Sequence, residues 1–217
     1  MSRRKIENSG KRAKNVEAFA RAVEALKRGE VIVFPTETFY GLGADALDNA
    51  AVERVISLKG RDPRNPISII VGDEKMLGEV VSEIPSSAGK LISRFWPGPL
   101  TLVLPARRAL PEPLLNIEGK VGVRVSSHPL ATRLTRELGH PLTATSANPS
   151  GKEPARTLDE ARAYFAGRVR IFLEGGKLGG KKGSTVIEVV HKELRVIREG
   201  EIGLEVLEKA LAGEDSW

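Results

Sequence analysis

Apolar and polar positions along this chain follow two periods, one near 3.6 residues and one near 2. Val16, Phe19, Val23 and Leu26 share a helical face, and Gly29 supplies a stop. Residues 31–34 form a short apolar run that reads as a buried strand, closed by Pro35, which has no N–H for a ladder. Asp48 caps a helix bearing Val52, Val55 and Ile56, and Thr157 with Glu160 forms a capping box for a later one. A helix ending near Phe95 leads into the turn of residues 96–99, and a helix over 129–138 is stopped by Gly139. Further strands are predicted over 67–71, 101–104, 121–125, 142–145, 169–173, 185–190 and 194–197, before a final helix. Helices separate most strands, and hairpin-like pairs occur near the C-terminus. The pattern predicts a single α/β domain with a twisted mixed sheet flanked by helices.

The loop after the first strand, Pro35-Thr-Glu-Thr-Phe-Tyr-Gly-Leu-Gly43, gathers two threonines, a glutamate, a tyrosine and two glycines. Loops at the ends of buried strands are where α/β proteins place ligands. Hydroxyls and closely approaching glycine amides suit a small polar anion. Taken alone, the stretch is equally a glycine-rich turn.

Charge adds less than its total suggests. The chain has 217 residues and a net charge of +6. Residues 1–14 hold six basic side chains against one acidic, leaving 28 basic and 27 acidic residues beyond them. The excess belongs to an N-terminal arm, taken as 1–15, ahead of a domain over 16–212 and a short tail over 213–217. There are no cysteines, which removes thiol nucleophiles, disulfides and cysteine zinc sites. The three histidines lack metal-ligand spacing, so no protein-held metal is expected. No apolar run is long enough to span a membrane and no signal core opens the chain, so the reading is a cytoplasmic protein without membrane partners.

Gly175-Gly-Lys-Leu-Gly-Gly-Lys-Lys182 nearly fits a phosphate loop, but Lys182 stands where a hydroxyl is needed and a strand pattern follows. It reads instead as a flexible basic lid. The remaining polar residues sit at strand ends: Thr36, Thr38 and Tyr40; Lys59 and Arg61; Arg124; Ser146 and Asn148; Ser184 and Thr185; Arg198. Arg124 lies within an apolar strand and needs an anionic partner, whether a protein carboxylate or a ligand. Together these residues supply cations and hydroxyls but no nucleophile. That set stabilises phosphate charge rather than forming covalent intermediates.

As an ordered set, Pro35–Gly43, Lys59-Gly-Arg61 with Pro66, Trp96-Pro-Gly-Pro-Leu-Thr101, Val123-Arg-Val125, Ser146-Ala-Asn-Pro-Ser-Gly151, Ser184-Thr-Val186 and Ile197-Arg-Glu-Gly200 resemble the YrdC family of threonylcarbamoyl-AMP synthases. The resemblance covers roughly residues 16–211 and is to the short form, without an extra C-terminal domain. It implies a YrdC-like sheet around a basic concave cavity. It implies that L-threonine, bicarbonate and ATP give threonylcarbamoyl-AMP and pyrophosphate. A downstream tRNA threonylcarbamoyl transferase complex would consume the product beside the anticodon. Thr36, Thr38, Tyr40, Arg124, Ala144 and Ser184 would bind threonine. Arg61, Asn65, Lys120, Ser146, Asn148, Pro154 and Arg198 would contact ATP. Lys59 and Arg61, as the catalytic pair, would stabilise departing pyrophosphate, with Mg2+ carried on the ATP phosphates. By the same resemblance, Asn65 stands where many relatives carry lysine, Ile70 where some carry histidine, and Lys120 at a position often held by threonine. Two alternatives remain: a module binding double-stranded RNA or tRNA through the basic cavity, and carbamoyl-adenylate chemistry without threonine, as in related hydrogenase-maturation domains.

Overall fold

The strand over Ile32–Pro35 (β1) organises the molecule because its alternate side chains enter two different cores. Ile32 and Phe34 pack with Phe19, Leu26, Leu134 and Leu142. Val33 joins Tyr40, Leu42, Val52 and Phe165 in the larger core. The computed structural model describes residues 3–62, 64–107, 110–190 and 193–213, with side chains from Asn15 onward. The expected arm over 1–15 therefore lies almost wholly outside the described side chains, as does most of the tail over 213–217.

The first helix, α1, spans Arg3–Lys27. After β1 the chain returns at once as β2 (Tyr40–Gly43), antiparallel to it, with Pro35 opposite Tyr40. The second helix, α2 (Asn49–Lys59), begins at Asp48, whose carboxylate accepts from Ala51 N. Then come β3 (Ile69–Ile70), α3 (Glu74–Val80), α4 (Ser86–Phe95), β4 (Leu100–Pro105) and β5 (Lys120–Arg124). The helix α5 (Pro129–Leu138) ends on Gly139 in the left-handed region, and α6 (Leu158–Phe165) carries the capping box of Thr157 and Glu160. The short strands β6 (Leu142–Thr143), β7 (Thr145–Ser146) and β8 (Ile171–Phe172) precede the hairpin β9 (Thr185–Val190) and β10 (Glu193–Arg198), and α7 (Leu204–Ala212) follows.

The mixed α/β class holds, but the strands divide between two sheets. One has the order β7-β2-β1-β8, the other β10-β9-β4-β5-β3-β6. The stretch read as one strand over 142–145 supplies both. β6 pairs with β3 in the larger sheet, and β7 pairs with β2 in the smaller. Ala144 is the crossover, and its N–H donates to Ser68 O at 2.7 Å. Tyr40–Gly43 read as loop because of its glycines. Those glycines serve packing: a Cβ on Gly43 would stand 2.7 Å from the Phe34 ring. The strand expected over 67–71 contracts to two residues, and that over 169–173 likewise.

Candidate active site

The loop ends of the two sheets enclose a cavity of about 280 Å³. The smaller sheet contributes the β1–β2 turn and Ser146 of β7. The larger contributes Arg124 at the end of β5, Ser184 just before β9, and Arg198 at the end of β10. Ala144 lines the cavity at the crossover, and Arg61 reaches it from just beyond α2.

Hydrogen bonds within the β1–β2 turn fix its shape. Thr36 Oγ1 donates to Phe39 O at 2.7 Å and accepts from Thr38 N at 3.2 Å, and the two threonine hydroxyls lie 3.2 Å apart. Tyr40 is fully buried, and its hydroxyl donates to Gly176 O at 2.8 Å while accepting from Gly175 N at 3.0 Å. Burial raises the Tyr40 pKa, keeping it a neutral donor. That hydroxyl pins the glycine-rich segment expected to be a flexible lid. Leu178 N donates to Arg156 O at 2.9 Å, and the N–H groups of Lys181 and Lys182 both donate to Glu201. At Gly180 a Cβ would stand 2.3 Å from Thr38 O, so only glycine lets this strap lie on the threonine turn.

Three arginines face the cavity, and each is held by its Nε edge. Arg61 Nε donates to Asn65 O at 2.8 Å, with Nη2 on Pro66 O at 3.0 Å. Arg198 Nε and Nη2 donate to Ser184 O at 3.2 and 2.7 Å, and Nη2 also reaches Ser184 Oγ at 3.0 Å. Arg124 Nε donates to Glu37 Oε1 at 3.1 Å. Burial lowers the pKa of Arg61 and of Arg198, and the charges of Arg124 and Arg61 add to the effect at Arg198. The three guanidinium groups thus share one electrostatic neighbourhood. Among the described residues, none that lines the cavity is acidic. Such a site favours anions, and polyanions most.

Of the residues read as functional, Thr36, Thr38, Tyr40, Arg61, Arg124, Ala144, Ser146, Pro154, Ser184 and Arg198 all line this cavity. Five do not. Thr185 turns its hydroxyl to Ile202 O at 2.7 Å. Lys59 is buried at 4% exposure and donates to Ser146 O at 2.7 Å and Asn148 O at 2.8 Å. Burial, and then the charge of Arg61, lowers its pKa to about 8. Asn148 fixes the same loop through Nδ2, on Pro149 O and Lys152 O, while its buried Oδ1 has no partner. Asn65 contributes its carbonyl, and its side chain is exposed. Lys120 is turned away, its ammonium held between Glu118 and the buried Glu188. Sequence reasoning required an anionic partner for Arg124 without finding Glu37, 87 residues earlier. Ser68 in the lining was also missed. Nothing in its local pattern marked it.

The family model described as Telomere recombination, covering Sua5, YciO and YrdC proteins, matches residues 24–200. The chain belongs to the Sua5/YciO/YrdC family. Within this family it is 41% identical over 165 residues to the threonylcarbamoyl-AMP synthase of Thiobacillus denitrificans, covering 76% of this chain and 87% of that one. It is 38% identical over 186 residues to the threonylcarbamoyl-AMP synthase of Pyrococcus abyssi, covering 86% of this chain but 55% of that longer one. The crystal structure of P. abyssi Sua5 complexed with L-threonine matches with a TM-score of 0.85 at 37% identity, over 88% of this chain and 56% of that one. Among the described residues, no helix is long and apolar enough to cross a membrane, and no cluster of His, Cys, Asp or Glu fits a metal ion.

Proposed function

We propose that this Sua5/YciO/YrdC protein makes threonylcarbamoyl-AMP and pyrophosphate from L-threonine, bicarbonate and ATP. The supporting observation is the arginine arrangement: three guanidiniums anchored by their Nε edges, Arg61 and Arg198 on carbonyls and Arg124 on Glu37, around a cavity that no acidic residue lines among the described residues. Arg124 takes the threonine carboxylate on its terminal nitrogens, a bidentate geometry the guanidinium fork favours. The hydroxyls of Thr36, Thr38 and Ser184 and the backbone at Ala144 surround the amino acid. Arg61, Arg198, Ser146 and Pro154 face the nucleotide, and magnesium reaches this cavity as part of that substrate.

The chemistry follows from the charge distribution. The threonine amine must be neutral to react; the Glu37 carboxylate beside Arg124 is engaged by Arg124 Nε and Ser126 Oγ, and among the described residues no carboxylate lines the cavity. The amine displaces hydroxide from bicarbonate, in net terms releasing water and giving a carbamate. A carbamate oxygen then attacks the α-phosphorus of ATP. The bond from that phosphorus to the bridging oxygen breaks, and pyrophosphate leaves with the electron pair. Arg61 and Arg198 face the charge gathering on the leaving group. Alignment and charge stabilisation supply the acceleration, since among the described residues no lining serine or threonine hydroxyl is hydrogen-bonded to a histidine or carboxylate that could activate it. The product, a reactive acyl adenylate, suits transfer to tRNA by a separate transferase. Mass spectrometry of a reaction with carbon-labelled bicarbonate tests the proposal: the label appears in an adenylate also containing threonine. A labelled adenylate lacking threonine would refute it.

A further inference from the structure

Among the three cavity arginines, Arg124 alone is paired with a carboxylate. Arg61 and Arg198 are anchored by carbonyl oxygens, which orient a guanidinium without cancelling its charge. Arg124 is anchored by a carboxylate. Its side chain is 6% exposed and that of Glu37 is 11% exposed, so little water screens the pair. The other oxygen of Glu37 accepts from Ser126 Oγ, which itself accepts from His128 N at 3.2 Å. Glu37 thereby ties the turn of the smaller sheet to the end of β5 in the larger, beside a lining arginine. Among the described residues, the terminal nitrogens of Arg124 have no protein partner.

We propose that Glu37 is a positioning and specificity-determining residue: it aims Arg124 and neutralises it, so that this corner takes a singly charged carboxylate and refuses phosphate. The need for such a device follows from the rest of the site. Threonine and a nucleotide enter one cavity, and a phosphate binds a bare guanidinium as readily as a carboxylate does. With Arg124 uncompensated, a triphosphate would meet three equivalent cations and bridge into the amino-acid corner. The carboxylate of Glu37 leaves Arg61 and Arg198 as the two of these three arginines without a carboxylate partner among the described residues. A multiply charged phosphate is repelled by Glu37 several times more strongly than a singly charged carboxylate, because the energy scales with the product of the charges.

The inference rests on reading Arg124 as the threonine anchor, and the test separates the two. L-Threonine binding is titrated calorimetrically in the wild-type protein and in Glu37→Gln, each with and without millimolar inorganic phosphate. Glutamine keeps an acceptor for Arg124 Nε but removes the charge. Phosphate is expected to weaken threonine binding in Glu37→Gln by about tenfold or more, and by less than about twofold in the wild type. Equal phosphate effects in the two proteins would overturn the proposal. Absence of threonine binding to the wild type would instead overturn the anchor reading itself. Should Glu37→Gln fail to fold, Ser126→Ala, which frees one oxygen of Glu37, is expected to raise the threonine KM severalfold while leaving the ATP KM within about twofold. Equal changes in both constants, or none in either, would likewise overturn the positioning role.

Discussion

The Lys59 ammonium donates to the carbonyl oxygen of Ser146 at 2.7 Å, and of the two residues it is Ser146 that lines the cavity. Family resemblance would place this lysine on phosphate, yet the structure uses it as a pin. Its pKa of about 8, against 10.5 for a free lysine, gives a testable sign. A basic group with a depressed folded pKa holds fewer protons folded than unfolded between those values. Its contribution to stability therefore rises as pH climbs from about 8 to 10.5. Unfolding free energies of wild type and Lys59→Met, measured across that range, should diverge in favour of the wild type by roughly 1.4 kcal/mol per unit of pKa difference. Parallel profiles would show that Lys59 is not held in this buried environment.

Arg61 and Lys120 should behave oppositely, although both match nucleotide positions by motif. Arg61→Ala removes a cavity cation whose protein partners are the Asn65 and Pro66 carbonyls, away from the threonine turn. Its ATP KM is expected to rise by about tenfold or more, with the threonine KM nearly unchanged, as for loss of a charge-assisted hydrogen bond. Steady-state kinetics with each substrate varied decides this.

Lys120→Met should leave ATP kinetics at the wild-type level and lower the melting temperature instead. The lysine bridges Glu118 and the 5% exposed side chain of Glu188, and among the described residues its loss leaves Glu188 with the longer Arg195 ion pair at 3.4 Å. Removing one partner of a buried pair costs about 3–5 kcal/mol when fully buried and less here, where the lysine side chain is 25% exposed. A raised ATP KM in a normally stable variant would return Lys120 to the site.

Gly180→Ala tests whether the strap shapes the threonine turn. The added methyl carbon would meet Thr38 O at 2.3 Å, so strap or turn must shift. A displacement near 1 Å at a substrate-positioning turn is expected to lower turnover by roughly 10- to 100-fold. Unchanged threonine kinetics would show that the strap and the turn are independent.

What the chain disclosed, and what it withheld, divides along sequence distance. The caps at Asp48 and Thr157 and the stop at Gly139 were legible because each depends on neighbours within one turn. Ten motif residues met around one cavity because strand ends in an α/β fold converge. Tyr40–Gly43 read as loop because its glycines answer to the Phe34 ring on another strand. The split of 142–145 at Ala144 depends on which sheet edge accepts each half, a property of the assembled fold. The facing of Lys59 and of Lys120 was hidden for the same reason. Residue type announces a charge, but only packing decides where it points.

In the proposed reaction, threonine and bicarbonate are both required to expel pyrophosphate from ATP. Pyrophosphate release should be followed in the complete mixture and with threonine or bicarbonate omitted in turn. Release is expected in the complete mixture, with background rates in either omission. Release that persists without threonine would contradict that reaction.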